Sequence, residues 1–195
     1  LSRYYLGMTF LYFAYGSNML SARLIARCPS AKLVGVASVD SHSLGFSKKS
    51  VDGSGKATLI KQSAQFQTPG ILFEIGLAER DALDKFEGAG NGYDRVDDFR
   101  VTMTDHFIVA TTYIASEIEN DLAPYDWYLA LVVAGALEHG FDDQYTSWLR
   151  SIETMPDHVV ARKSRVAALR ALADQGHLDY ANLLLADSSR SGQRD

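Results

Sequence analysis

Two features of this 195-residue chain have the residue types and the setting for chemistry. The first is Tyr15-Gly16-Ser17-Asn18, which follows the apolar run Thr9 to Ala14. Gly16 lets backbone approach a ligand closely. Free N–H groups in such a turn, at a helix start, can hold a carboxylate or a developing oxyanion. The same residues also suit an ordinary tight turn. The second feature is Glu87, next to apolar Phe86 at the predicted C-terminal end of a helix, where backbone presents partial negative charge. A carboxyl in that setting, once buried, suits general acid–base work. Gly88-Ala89-Gly90-Asn91-Gly92 would fold into a loop able to present it to a cavity, though the same loop could carry a solvated glutamate.

Other candidates fall away on spacing. Ser17 lacks the G-x-S-x-G elbow that exposes a hydrolase nucleophile. The five histidines (His42, His106, His139, His158, His177) show no H-E-x-x-H or other ligand spacing, so no metal site is expected. Cys28 falls on the apolar stripe of its helix and reads as a small buried hydrophobe. Gly53-Ser54-Gly55-Lys56 has the outline of a phosphate loop. Ser50 stands where its first glycine belongs, however, and Ala57 where its hydroxyl belongs. Asp97-Asp98 and Asp142-Asp143 read as solvated charge.

The elements that must position the two features follow from pattern. Thr9 to Ala14 is β-branched and aromatic, and reads as a buried strand. Leu20, Leu24 and Cys28 recur at spacing four on a short helix stopped by Pro29. Strands are expected over Lys32 to Val39, Ser43 to Ser47, Ala57 to Gln62, Gly70 to Ile75, Tyr93 to Met103 and Phe107 to Tyr113. Ala78 to Phe86 reads as a helix with Ala82, Leu83 and Phe86 inward. Pro124 is expected to open a helix carrying Tyr128, Leu131, Val132, Gly135 and Ala136 on one stripe, ended near Gly140. Tyr145, Trp148, Leu149 and Ile152 mark another. From Pro156, a helix capped by Asp157 would show a stripe of Val159, Val166, Leu169 and Leu172, covered by the chain's own core or by a second copy. Many strands, few helices and no βαβ alternation make the class α+β around a curled sheet.

At 47% hydrophobic and 22% charged the chain can bury a core. It holds no apolar run of the ~20 residues that cross a bilayer, and no signal peptide is expected at its start. Met8 reads as a natural start after a seven-residue extension. One cysteine excludes an intramolecular disulfide and fits a reducing cytoplasm. A net charge of −5 gives no electrostatic footprint for nucleic acid.

The run Tyr12-Phe13-Ala14-Tyr15-Gly16-Ser17-Asn18-Met19, with Leu83-Asp84-x-x-Glu87-Gly88 further on, resembles the γ-glutamylcyclotransferases of the AIG2-like superfamily. Tyr93, Tyr113, Tyr128, Gly135-Ala136-x-x-x-Gly140, Tyr145 and Leu149 extend the resemblance, which covers about residues 9 to 153. It implies a small mixed β-barrel with surrounding helices over residues 8–153; beyond it the residues themselves read as a helical extension over 154–187 and a polar, frayed tail over 188–195. The F-A-Y-G-S-N-M variant is nearer the branch acting on γ-glutamyl amino acids than the Y-G-S-L or Y-G-T-L branches.

The reaction implied is an intramolecular aminolysis. The α-amine of a γ-glutamyl group attacks its own γ-carbonyl, releases an amino acid or amine, and closes 5-oxoproline. Nucleophile and electrophile share one molecule, so the resemblance implies no cofactor and no metal. It assigns the proton transfer to Glu87 and the γ-glutamyl group to a cradle of Tyr12, Phe13, Ala14, Tyr15, Gly16, Ser17 and Asn18, with Tyr93 and Tyr128 as further contacts. Every one of these precedes the extension. A non-catalytic module for an anionic ligand and a γ-glutamyl hydrolase are the alternatives, and a homodimer stays open.

Overall fold

The computed structural model describes residues 8–185, so the polar tail and the extension before Met8 lie outside the described residues. Seven strands and six helices follow in chain order: β1 Thr9–Ala14, α1 Ser21–Arg27, β2 Lys32–Asp40, β3 His42–Lys49, β4 Gly55–Lys61, β5 Gln67–Gly76, α2 Arg80–Glu87, β6 Tyr93–Met103, β7 His106–Ala115, α3 Asp126–Glu138, α4 Asp143–Arg150, α5 Lys163–Asp174 and α6 Ala181–Leu184. The class is α+β, as expected. Five strands close a mixed barrel in the order β1-β5-β2-β6-β7, with β3-β4 as a separate hairpin. Every barrel pairing is antiparallel except the one that closes it, β1 beside β7 at Tyr12 and Thr111.

Closure puts β1 between two partners, and its C-terminal half, Tyr12, Phe13 and Ala14, is buried. Phe13 stacks on Phe99 across the core, and Gly70 of β5 makes room for it, since a Cβ there would lie 2.5 Å from its ring. A 3-10 turn over Ser17–Met19 then reverses the chain into α1, whose Leu24 is fully buried with the flanking Leu20 and Cys28. Full burial of such a side chain stabilises the fold by roughly 1.5–3 kcal/mol.

Four expectations change. Pro124 lies two residues outside α3, whose N-cap is Tyr125, and α3 has no single stripe: Trp127 to Ala136 are all buried. A helix apolar all round belongs inside a fold, and α3 is wrapped by the turn before α1, by α4, α5 and α6. Gly135 sets one of these contacts, because a Cβ there would meet Met19 and Leu20 at 2.7 Å. Leu83 of α2 points inward, but Phe86 is half exposed, its ring taken by the Arg27 guanidinium at 5.2 Å. The two aspartate pairs stay exposed, as expected, with Asp97 also pairing with Arg80 and Arg95 and Asp142 capping α4 by accepting from Tyr145 N.

The fourth lies in the C-terminal segment. Asp157 caps nothing; α5 begins at Lys163. Its buried carboxylate instead accepts from Arg162 Nε at 2.7 Å and from Trp127 Nε1 of α3 at 3.1 Å. Val159 and Val166 are exposed, and the inward residues are Ala168, Ala171 and Leu172, which join the same core as the barrel. The chain's own core covers the inward face of α5. Among the described residues no helix is long and apolar enough to cross a membrane.

Candidate active site

The 3-10 turn after β1, the C-terminus of α2, the start of β6, the hairpin strand β4 and the first turn of α3 meet around one cavity. It measures about 300 Å³ counted out to its mouth. Tyr12, Tyr15, Gly16, Ser17, Asn18, Glu87, Tyr93 and Tyr128 all line it, together with Ala57 and Tyr113. Phe13 and Ala14 do not; both are buried, with the Phe13 ring stacked on Phe99.

Glu87 ends α2, and Gly88 behind it takes the left-handed conformation (φ 71°) that stops the helix. Its Oε1 accepts from Asn18 Nδ2 at 2.5 Å and from Arg27 NH1 at 3.1 Å. The Asn18 amide is held on both sides, for its Oδ1 accepts from Arg27 NH1 at 2.9 Å while Nδ2 also donates to Tyr12 Oη at 3.1 Å. Arg27 therefore sets a positive charge against the carboxylate and offsets the negative end of α2, a compensation absent from the expectation above.

The tyrosines form the remaining wall. Tyr93 Oη donates to the Ala57 carbonyl at 2.6 Å, and Ala57 N–H donates to Tyr128 Oη at 3.1 Å, so the backbone of one residue of β4 is clamped through both of its polar groups. Tyr15 Oη donates to the Tyr113 carbonyl, and Tyr113 Oη donates to Asp84 at 2.7 Å. Burial, reinforced by the charge of Glu87, pushes the phenols of Tyr12 and Tyr15 well above their usual range; burial does the same for Tyr93 and Tyr113 and raises Tyr128. All five stay neutral and can donate or accept hydrogen bonds but not act as bases. Among the described residues lining this cavity, Glu87 carries the one carboxylate.

Gly16 keeps a negative φ of −120°, so the turn does not require glycine for its backbone. Space requires it: a Cβ would lie 2.9 Å from the Ala57 methyl and 3.7 Å from Tyr128 Oη.

The cavity opens, past Ser17, Glu87, Tyr93 and Tyr128, into a wider vestibule of about 730 Å³ counted out to its mouth. Here the charged residues gather. Arg23 of α1 is buried with its Nε on Ser17 Oγ at 3.2 Å, and burial lowers its pKa to about 9. Lys56 is boxed by the rings of Tyr125, Trp127 and Tyr128 at 4.6–5.4 Å, held by Asp52 and Ser54, and lowered by burial to about 8. Ser164 of α5 also reaches this wall, so the extension touches the site after all. Arg23 and Arg27 were missed by sequence reasoning, although their i, i+4 spacing on the helix right after the turn was a usable signal. No three His, Cys, Asp or Glu side chains converge to hold a metal among the described residues.

A family model described as the AIG2-like family matches residues 68–149. The γ-glutamylcyclotransferase of Mus musculus is 32% identical over 152 residues, 75% of this chain and 80% of that protein. Its Homo sapiens counterpart is 31% identical over 150 residues, 74% and 79% of the two chains. A solved γ-glutamyl cyclotransferase structure superposes with a TM-score of 0.74 at 25% identity, over 84% of this chain and 99% of the other.

Proposed function

The chain belongs to the γ-glutamylcyclotransferase family, and from that membership we propose how its own residues carry the family reaction. The enzyme cyclises a γ-glutamyl amino acid or amide to 5-oxoproline and releases the free amine. The α-amine lone pair attacks the γ-carbonyl carbon, the new C–N bond closes the five-membered ring, and the old amide C–N bond breaks. Ring closure needs the extended γ-glutamyl chain folded so that its amine meets its carbonyl, which is a matter of confinement. The tyrosine-walled cavity supplies it.

Turning an α-ammonium into a lactam N–H sheds two protons, and the departing nitrogen gains two on becoming an ammonium. Glu87 carries one of them from the attacking nitrogen to the leaving one, and the other is given up to solvent before attack and regained from solvent by the released amine. The observation that carries this reading is its position as the sole carboxylate among neutral phenols in that cavity. Asn18 and Arg27 aim the carboxylate, since both bond the same oxygen, Oε1, and leave Oε2 to the substrate. Backbone of the Gly16–Asn18 turn, beside Glu87, receives the glutamyl α-carboxylate and the tetrahedral oxyanion. Tyr93 and Tyr128 hold the β4 wall against the substrate through Ala57.

The acceptor and donor are one small molecule, so neither nucleic acid nor a cofactor enters the scheme. A buried thiol at Cys28, raised by burial to about 11, suits a reducing cytoplasm. Incubation with a panel of γ-glutamyl compounds in EDTA, with product analysis, tests the reading. Release of 5-oxoproline is expected. Free glutamate would mean hydrolysis, binding without turnover would mean a ligand module, and rescue by added zinc or magnesium would mean a metal enzyme.

A further inference from the structure

The charges of the vestibule do not balance from within. Arg23, Arg27, Lys48 and Lys56 line it against two carboxylates, Asp52 and Glu87. Arg27 holds Glu87 at 3.1 Å and Lys56 holds Asp52 at 3.4 Å. Arg23 is spent on the cradle at Ser17. Lys48 is left over: among the described residues it forms no ion pair, and its Nζ rests 5.0 Å above the Tyr93 ring.

Its placement runs against stability. Lys48 stands directly across the β3–β4 ladder from Lys56, and like charges in that register repel. Burial lowers the pKa of both amines, that of Lys48 as well as that of Lys56. An anion received between β3 and Tyr93 would relieve both costs. The substrate reading above leaves one anion unplaced. With the γ-glutamyl group in the inner cavity, its scissile nitrogen lies at Glu87, which both cavities share, and the departing group extends into the vestibule. If that group is an amino acid, its carboxylate is two bonds from the departing nitrogen.

Resting on the cyclotransferase reading, we propose that Lys48 binds the carboxylate of the leaving amino acid and so selects γ-glutamyl amino acids over γ-glutamyl amines. A flexible point charge suits this task, because it follows the carboxylate while the amino-acid side chain varies. Lys48 lines the vestibule and not the inner cavity, so it reads the leaving group and takes no part in ring closure.

The test compares γ-glutamyl-alanine with γ-glutamylethylamide, which differ by that carboxylate alone, in the wild type, Lys48→Met and Lys48→Arg. The ratio of kcat/KM between the two substrates is expected to fall about tenfold in Lys48→Met, through the KM of γ-glutamyl-alanine, as loss of one charge-assisted contact implies. Lys48→Arg should bring the ratio back to within about threefold, since charge rather than shape is being read. A ratio that ignores both substitutions, or a loss carried by kcat on both substrates alike, overturns the assignment of Lys48. A wild type that makes no 5-oxoproline from either compound overturns the cyclotransferase reading itself, and Lys48 with it.

Discussion

In the inner cavity nearly every polar group answers another. Tyr93 and Tyr128 share the Ala57 backbone, Asn18 bridges Tyr12, Glu87 and Arg27, and Tyr15 reaches Tyr113. In the vestibule, by contrast, cations outnumber acids, Lys48 faces Lys56, and the Lys56 amine sits in a box of rings. The first region is fixed by closed hydrogen-bond geometry that ties the barrel to the hairpin and to the ends of α2 and α3, while the second is held by charge. Closed geometry tolerates little change but makes chemistry reproducible. Unbalanced charge tolerates substitution and sorts ligands. The two regions should therefore fail differently.

The largest effect is expected where they meet. Glu87→Gln keeps the size of the side chain and the Asn18 contact but cannot take up a proton. Its kcat should fall roughly 10²–10⁴-fold, with KM changed much less. Turnover within about tenfold of wild type would remove Glu87 as the proton carrier and leave the inner cavity as a mere holder.

Gly16→Val is the next largest. Its Cβ would lie 2.9 Å from the methyl of Ala57, the residue that Tyr93 and Tyr128 clamp, so it strikes the closed geometry itself. A loss of about 10–100-fold in kcat/KM is expected, with lower thermal stability. Ser47→Val on β3 is the control, since it replaces a buried hydroxyl that has no partner among the described residues and should cost almost nothing. Equal affinity in both variants would reduce the turn to a connection.

The barrel strands were legible because their alternation and β-branching survive any tertiary context, and β1 and β6 begin and end where pattern puts them. Glu87 was legible from the helix end and the glycines behind it. Arg23 and Arg27 were not singled out, because an arginine in a short helix normally reads as solvated, and only the packing of α1 against α5, α2 and the 3-10 turn buries Arg23. Lys48 and Lys56 were illegible for a similar reason: a cross-strand pair exists only once the β3–β4 register is known, and a bulge between Gly45 and Lys48 shifts it. The stripe on α3 misled because a helix buried on all sides has no preferred face to read. Asp157 looked like a cap by residue type, and its true partners lie 30 residues back on α3 and five residues ahead.

That carboxylate gives the smallest effect and the sharpest contrast. Asp157 takes hydrogen bonds from Arg162, Val159 N–H and Trp127, and Arg162 and Trp127 lie against Tyr125, the outer ring of the Lys56 box. It braces the vestibule wall without touching substrate. Arg162, bonded to it, is the main cause that holds its pKa down to about 2 from an ordinary 3.8. A folded-state pKa below the unfolded value means that the stabilisation is fully present above about pH 4 and is lost as pH falls through about 2. Asp157→Asn should lower stability at neutral pH by roughly 2 kcal/mol, which for a chain of this size is a Tm shift of about 4–8 °C. The gap between wild type and variant should then close between pH 4 and pH 2, as the wild-type carboxylate protonates. Turnover of γ-glutamyl-alanine should change no more than about threefold, because a loosened vestibule wall still presents its cations. A variant as stable as wild type at pH 7 would free the wall from Asp157. A variant of normal stability at pH 2 but with kcat reduced as far as in Glu87→Gln would make the vestibule part of the ring-closing machinery, and the distinction between the two regions would be lost.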